Sequence, residues 1–140
     1  MIAKNIRDIS YEDIELLQTN QIPESDTLDY KSEMIGDKEI IRHACAFANT
    51  RGGDIIFGIE ESGHDGYPVN IKGLDTSKIN KESLGQVISS NTDPRLDIEI
   101  QPIRIPNSDK SVLVVRIPDS SQKPHLNNNC LLYTSPSPRD

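Results

Sequence analysis

Glu24 and Asp29 stand five residues apart in "ESDTLDYK", with Lys31 two residues further on. If Asp29 and Lys31 share one strand face, two carboxylates and an ammonium group gather in one place. Hard oxygen ligands of this kind hold Mg²⁺ or Mn²⁺, which can polarise a phosphate for hydrolysis. The plainer reading of the same spacing is a solvated strand face carrying an ordinary ion pair of little energetic weight. A second pair of acids, Glu60 and Glu61, ends the apolar run "GGDIIFGIEE". Successive strand residues point to opposite faces, so only one of these two is expected to join Glu24 and Asp29. The ordinary alternative is a solvated entry to a turn.

Between the two acid groups lies Asn49-Thr50-Arg51-Gly52-Gly53. Glycine here allows a backbone to approach another backbone or a ligand closely, and Asn49 can cap a helix or bond a neighbouring loop. No G-x-x-x-x-G-K-[ST] occurs, and these glycines follow a helix rather than precede one, so the stretch is no phosphate cradle. Cys45, His43, His64 and His125 show no zinc spacing. No Ser-His-Asp or Cys-His arrangement can be inferred; Cys45 and His43 adjoin an apolar helix face and read as packing residues.

The elements that must position these groups follow from hydrophobic periodicity. Ser10-Tyr11-Glu12-Asp13 resembles a capping box opening a helix with Ile14, Leu16 and Leu17. Thr27–Ser32 reads as a short strand, and Asp37 as the N-cap of the strongest helix, whose natural stop is Gly52. Asp54–Glu60 reads as one buried strand, "ESGHDGYP" as a turn, and "VNIKGL" as a short return strand. A second helix is expected over Thr76–Ser90. Leu96–Gln101 alternates as a half-buried strand interrupted at Pro102, and "SVLVVRI" pairs antiparallel with it. The fold class is therefore α+β: a mixed sheet flanked by two main helices, with an N-terminal helix.

With 140 residues, a net charge of −7 and two cysteines, the chain suits one acidic domain without a disulfide framework. The acidic balance excludes a strong non-specific nucleic-acid binder, which needs a basic surface or bridging metal ions. No signal peptide or long apolar segment is present, so a cytoplasmic protein without membrane partners is expected. "CLLYTSPSPRD", Cys130–Asp140, reads as a translated sequencing adapter rather than protein. The expected organisation is a lead-in over 1–20, an incomplete domain over 21–126, and a non-native tail over 127–140. The natural product would then be longer, with downstream domains missing here. A missing strand would leave an unpaired sheet edge and invite aggregation; a homo-oligomer is the expected form of any self-association.

Together, "IPESDTLDYKSE", "ACAFANTRGGDIIFGIEE" and "IKGLD" resemble the Schlafen-type AlbA domain, also called Schlafen AlbA-2 or divergent AAA-like, from about Tyr11 to Pro124. The resemblance makes Asn49, Gly52, Gly53 and Gly58 a structural motif. It implies a nucleic-acid-binding, in particular DNA-binding, module at the N-terminus of a transcriptional-regulator-like protein. Lys31, Arg51, Lys72, Arg116 and Lys123 are the cations to test against phosphate. In animal Schlafen proteins a related domain cleaves structured RNA with three acids and divalent metal. By motif those acids fall on Glu24, Asp29 and either Glu60 or Glu61, with Glu24, Asp29 and Glu60 as metal ligands. No cofactor is implied beyond Mg²⁺ or Mn²⁺ for such a nuclease. Asp29 stands where that pattern has Glu, and Glu60 and Glu61 where it has Asp, so the backbone must compensate for one methylene at each. A nucleotide-binding role rests on the AAA-like label, without a P-loop to support it.

Overall fold

The computed structural model describes residues 2–120 and 126–127. Among them run helices α1 (Tyr11–Thr19), α2 (Asp37–Ala48) and α3 (Lys81–Ser90), with 3-10 turns at Ile6–Asp8 and Thr76–Lys78. The strands are β1 (Leu28–Lys31), β2 (Gly53–Phe57), β3 (Ile59–Glu61), β4 (Pro68–Ile71) and β5 (Leu74–Asp75). They continue with β6 (Thr92–Asp93), β7 (Glu99–Arg104), β8 (Lys110–Ile117) and β9 (Leu126–Asn127).

The long apolar strand β8 is the centre of the main sheet. One of its edges pairs antiparallel with β7, with Gln101 opposite Val114. The other pairs antiparallel with β2 through Ile56 and Val114, and with β5 through Leu74 and Ser111. β1 lies parallel to β2, Asp29 opposite Ile55, which makes the sheet mixed. β3 pairs with β4, and β6 with β9, in two small ribbons. The α+β architecture expected from periodicity is the one observed.

Side-chain alternation sends the two faces of the sheet into separate cores. Ile55, Phe57, Leu113, Val115 and Ile117 pack against Ile40, Ile41, Ala44 and Ala48 of α2 and Leu84 and Ile88 of α3. Leu28, Tyr30, Ile56, Val112 and Val114 face the other way, against Ile6, Ile9, Ile14 and Leu17 of the N-terminal segment and α1. Both faces are thus covered, which is why β2 and most of β8 are apolar without alternation.

Several boundaries differ from expectation for local reasons. α2 takes Gly36 as its N-cap and Asp37 as its first helical residue, where the carboxylate still favours the positive end of the helix dipole. Asn49 is its C-cap, donating its backbone N–H to Cys45 O at 3.0 Å. A Cβ on Gly52 would lie 2.6 Å from Ile117 O, and one on Gly53 would lie 2.6 Å from Thr27 O. The joint therefore fits between the end of β8 and the start of β1 only as glycine. The helix expected from Thr76 begins at Lys81, because Asn80 accepts the Ser83 N–H and resets the cap. β7 runs through Pro102, opposite Leu113, and pairs with β8 alone among the described elements, so the missing N–H falls on an edge. The Ser10 cap is as expected: its N–H donates to the Asp13 carboxylate at 2.8 Å.

The largest departure is at Gly58. The single strand expected over Asp54–Glu60 breaks there, at φ +101°, into β2 and β3. Gly58 sits against Gly73, whose Cα would lie 3.0 Å from an added Cβ. No helix among the described residues is long and apolar enough to cross a membrane. The proposed tail over Cys130–Asp140 lies outside the described residues.

Candidate functional site: an acidic cleft

The site starts from alternation in β1. Leu28 and Tyr30 are buried, while Asp29 and Lys31 are half-buried on the opposite face and form an ion pair at 3.5 Å. Glu24 reaches the same place from the preceding loop. That loop is held by the Tyr30 hydroxyl, which donates to Ile22 O at 2.8 Å. The Tyr30 N–H then donates to Glu24 Oε2 at 2.9 Å.

The remaining acids arrive through the break at Gly58. Its N–H donates to Lys31 O at 2.7 Å, and its carbonyl accepts from Lys72 N at 2.9 Å and Gly73 N at 2.8 Å. The chain then leaves the main sheet as β3 and runs toward the cleft. Glu60 lies opposite Asn70 and Glu61 opposite Pro68, with a register shift between them. That irregularity re-aims side chains that regular pleating would separate. Expectation placed only one of the two acids at the site, yet both line it.

The result is a cleft of about 310 Å³ bounded by Glu24, Asp29, Tyr30, Lys31, Ser32, Glu60 and Glu61. The two glutamates at its β3 edge differ in environment. Glu60 Oε1 accepts from Asn70 Nδ2 at 2.8 Å, whereas the charge of Glu61 acts on Glu24. Burial, a hydrogen bond shared with Asp29, and the charges of Asp29 and Glu61 push the Glu24 carboxyl up to about 7, against the opposing pull of the Tyr30 N–H. Near neutral pH the fold therefore favours the protonated form of Glu24, whose carboxyl is hydrogen-bonded to Asp29. A larger groove of about 620 Å³ lies between α3 and the segment entering β7, lined by residues such as Gln86, Arg95 and Ile98. It brings together no comparable set of interacting titratable groups, so the smaller cleft is the candidate site.

The donor chemistry of the cleft is that of Mg²⁺ or Mn²⁺, all hard oxygen. The arrangement is not yet a metal site: among the described residues no three ligating side chains stand together so as to hold an ion. Glu24 is occupied by the Tyr30 N–H and its hydrogen bond with Asp29, and Glu60 by Asn70.

The candidate cations separate into distinct environments. Lys31 stands in the cleft, and Lys72 is exposed beside the Gly58 crossing. Arg51 is exposed but holds Asp26 through Nε at 3.1 Å and Nη2 at 2.7 and 2.6 Å. Arg116 departs most from expectation. Its Nε and Nη2 bond the fully buried Asp54 at 2.8 and 3.0 Å, and Nη1 and Nη2 bond the carbonyls of Lys4 and Ile2. These contacts take four of its five N–H donors and fasten the N-terminal segment. Lys123 lies outside the described residues.

Periodicity assigned His43 to packing, but it also answers to the charges of Asp29 and Lys31. Burial first, then Lys31, holds its imidazole below the usual value, so it is neutral at pH 7. Only the pairing of β1 beside β2 beneath α2 brings these groups together, and no local spacing signals it. His64 is exposed in the β3–β4 turn.

Compared with known proteins, residues 24–135 match the model of a family described as Schlafen, AlbA_2. No curated protein matches. Among solved structures 13 chains match. One is the solution NMR structure of the N-terminal domain of a Nitrosomonas europaea protein, named as RecG-related and as a candidate ATP-dependent DNA helicase. It is 24% identical with a TM-score of 0.55, over 81% of this chain and 78% of that one. At that identity the likeness speaks to the fold alone.

Proposed function

The chain belongs to the Schlafen, AlbA_2 family, and from that premise we propose that it is a nucleic-acid-binding domain whose cleft meets the phosphodiester backbone. The observation that carries this reading is the Gly58 crossing. Lys31 and Lys72, both read from sequence as phosphate contacts, have their backbones bonded to opposite sides of that one residue. Lys31 thus stands in the cleft beside the carboxylates of Glu24, Asp29, Glu60 and Glu61, and the backbone of Lys72 adjoins the same crossing. With a net charge of −7, binding is governed by this local arrangement, is weak, and falls with salt. The helicase-related name of the structural neighbour agrees with a nucleic-acid partner. A place in a DNA-binding regulator is the finer form of the same proposal.

Fluorescence anisotropy with labelled single- and double-stranded DNA and RNA tests it. Lys31→Ala and Lys72→Ala should each weaken binding and lessen its salt dependence. Equal affinity in both variants and the parent overturns the assignment.

The gathering of Glu24, Asp29, Glu60 and Glu61 from three separate segments favours one second reading, a metal-dependent endoribonuclease. It requires Glu24 to lose its proton and the acids to close on an ion, and no step through that ion follows from the present arrangement. Cleavage of structured RNA in Mg²⁺ or Mn²⁺ that stops with chelator and with Glu24→Ala supports it. Cleavage surviving both belongs to a contaminant.

A further inference from the structure

We infer that Gly66, in the turn between β3 and β4, is the positioning residue of the acidic cleft: its backbone holds Glu24 against Asp29 and Glu61. This goes deeper into the same cleft and rests on reading it as the functional site.

Glu24 belongs to an irregular loop, and a loop carboxylate ordinarily turns to water. Here it is fixed at both ends. Its own N–H donates to Gly66 O at 2.9 Å, and its carboxylate accepts from Tyr30 N at 2.9 Å. Gly66 is buried, at φ +68°, and its N–H donates to Ser62 O at 3.3 Å. Tyr67 closes the turn: the Ser62 N–H donates to its carbonyl at 2.8 Å, and its own N–H donates to Ser62 Oγ at 3.2 Å. The turn that joins the strand of Glu60 and Glu61 to β4 is therefore also the surface against which Glu24 rests.

The contact leaves no room for a side chain. A Cβ on Gly66 would lie 2.9 Å from Glu24 Oε1, 3.0 Å from its Cβ and 3.2 Å from its Cγ. A flexible side chain can yield to such a clash, and it would yield by moving the carboxylate out of the cleft. Gly63, three residues earlier in the same turn, has nothing within 4 Å of an added Cβ. The two glycines thus form an internal control: the same substitution in one turn, with Glu24 touched in one case only.

The position of the Glu24 side chain reads this directly. In NMR of the full chain, the parent and Gly63→Ala should show a nuclear Overhauser contact between the Glu24 side chain and the Tyr30 amide. Gly66→Ala should abolish that contact, as the added Cβ displaces the Glu24 side chain. An unchanged contact in Gly66→Ala, or an equal loss in Gly63→Ala, overturns the inference. Because alanine is strained at positive φ, amide hydrogen exchange in the parent gives a second arm that needs no variant. The Glu24 and Tyr30 amides should be protected together, and a freely exchanging Glu24 amide also overturns it. Neither arm uses nucleic acid. A parent that binds no oligonucleotide but keeps the contact between Glu24 and the Tyr30 amide refutes the proposed function and leaves the role of Gly66 standing.

Discussion

Asp54 and Glu24 are both acids drawn toward the interior beside the same pair of strands, and they meet opposite conditions. Asp54 is wholly buried and answered by the Arg116 guanidinium at 2.8 and 3.0 Å and by the Ile2 N–H at 2.9 Å. Glu24 is half-buried, and the charges pressing on it, Asp29 and Glu61, have its own sign. The first carboxylate is balanced within the fold and its role ends there. The second is under electrostatic load that a proton relieves in the free protein and that a cation or ligand could relieve instead. Crowded like charges at a cleft are costly to maintain, which is the physical reason to look there for function.

The comparison breaks most readily at Arg116. Arg116→Ala would leave Asp54 as an unanswered buried charge and release the Ile2 and Lys4 carbonyls, so the N-terminal segment would lose its fastening. A loss of about 3–5 kcal/mol in urea denaturation is expected. The double variant Arg116→Ala, Asp54→Ala should cost less than the single, since the stranded charge is gone. A single variant losing under about 1 kcal/mol would place Asp54 among surface carboxylates and dissolve the contrast.

Glu24 should behave in the opposite sense. Its folded carboxyl titrates at about 7 against an ordinary 4.5, so the fold favours the protonated form. That contribution is complete below the unfolded value and is lost as pH rises through about 7. Glu24→Gln removes the charge, so at pH 8 it should be more stable than the parent by about 1 kcal/mol, allowing for solvent screening of a half-exposed group. The gain should vanish near pH 4, and any RNA cleavage should fall at every pH. Equal stability at pH 8 and pH 4 would mean that the acids do not press on one another.

Much of this was legible in the sequence, and the failures share a cause. Local patterns located α1 through its capping box, α2 through its apolar face, and the β7–β8 hairpin through alternation. They also singled out Glu24, Asp29 and Lys31 from spacing alone. Three things required partners distant in the chain. Gly58 reads as one small residue in an apolar run until Gly73 is found against it, and then it divides the strand and redirects both glutamates. Arg116 gives no local sign of its pairing with Asp54, 62 positions away. Gly66 reads as ordinary turn glycine until Glu24 is seen resting on it. Spacing reports which groups a strand can present; only topology reports what faces them.

Arg51 sharpens the contrast with the smallest effect. It grips Asp26 as closely as Arg116 grips Asp54, with Nη2 at 2.6 Å, but both side chains are more than half exposed. An exposed pair gains little, since water and salt screen it and two side chains must be immobilised to hold it. Arg51→Ala should therefore change stability by less than about 1 kcal/mol. The pair still occupies a cation that the sequence offers to phosphate, and its two halves make opposite predictions for binding. Asp26→Ala frees the guanidinium and removes a repelling carboxylate, so oligonucleotide affinity should rise, while Arg51→Ala should lower it. If neither changes affinity, Arg51 lies off the nucleic-acid path and the cleft with Lys31 and Lys72 carries the contact alone. If Arg51→Ala instead destabilises the protein as Arg116→Ala does, short distance rather than burial decides which ion pairs are structural, and the distinction between Asp54 and Glu24 loses its basis.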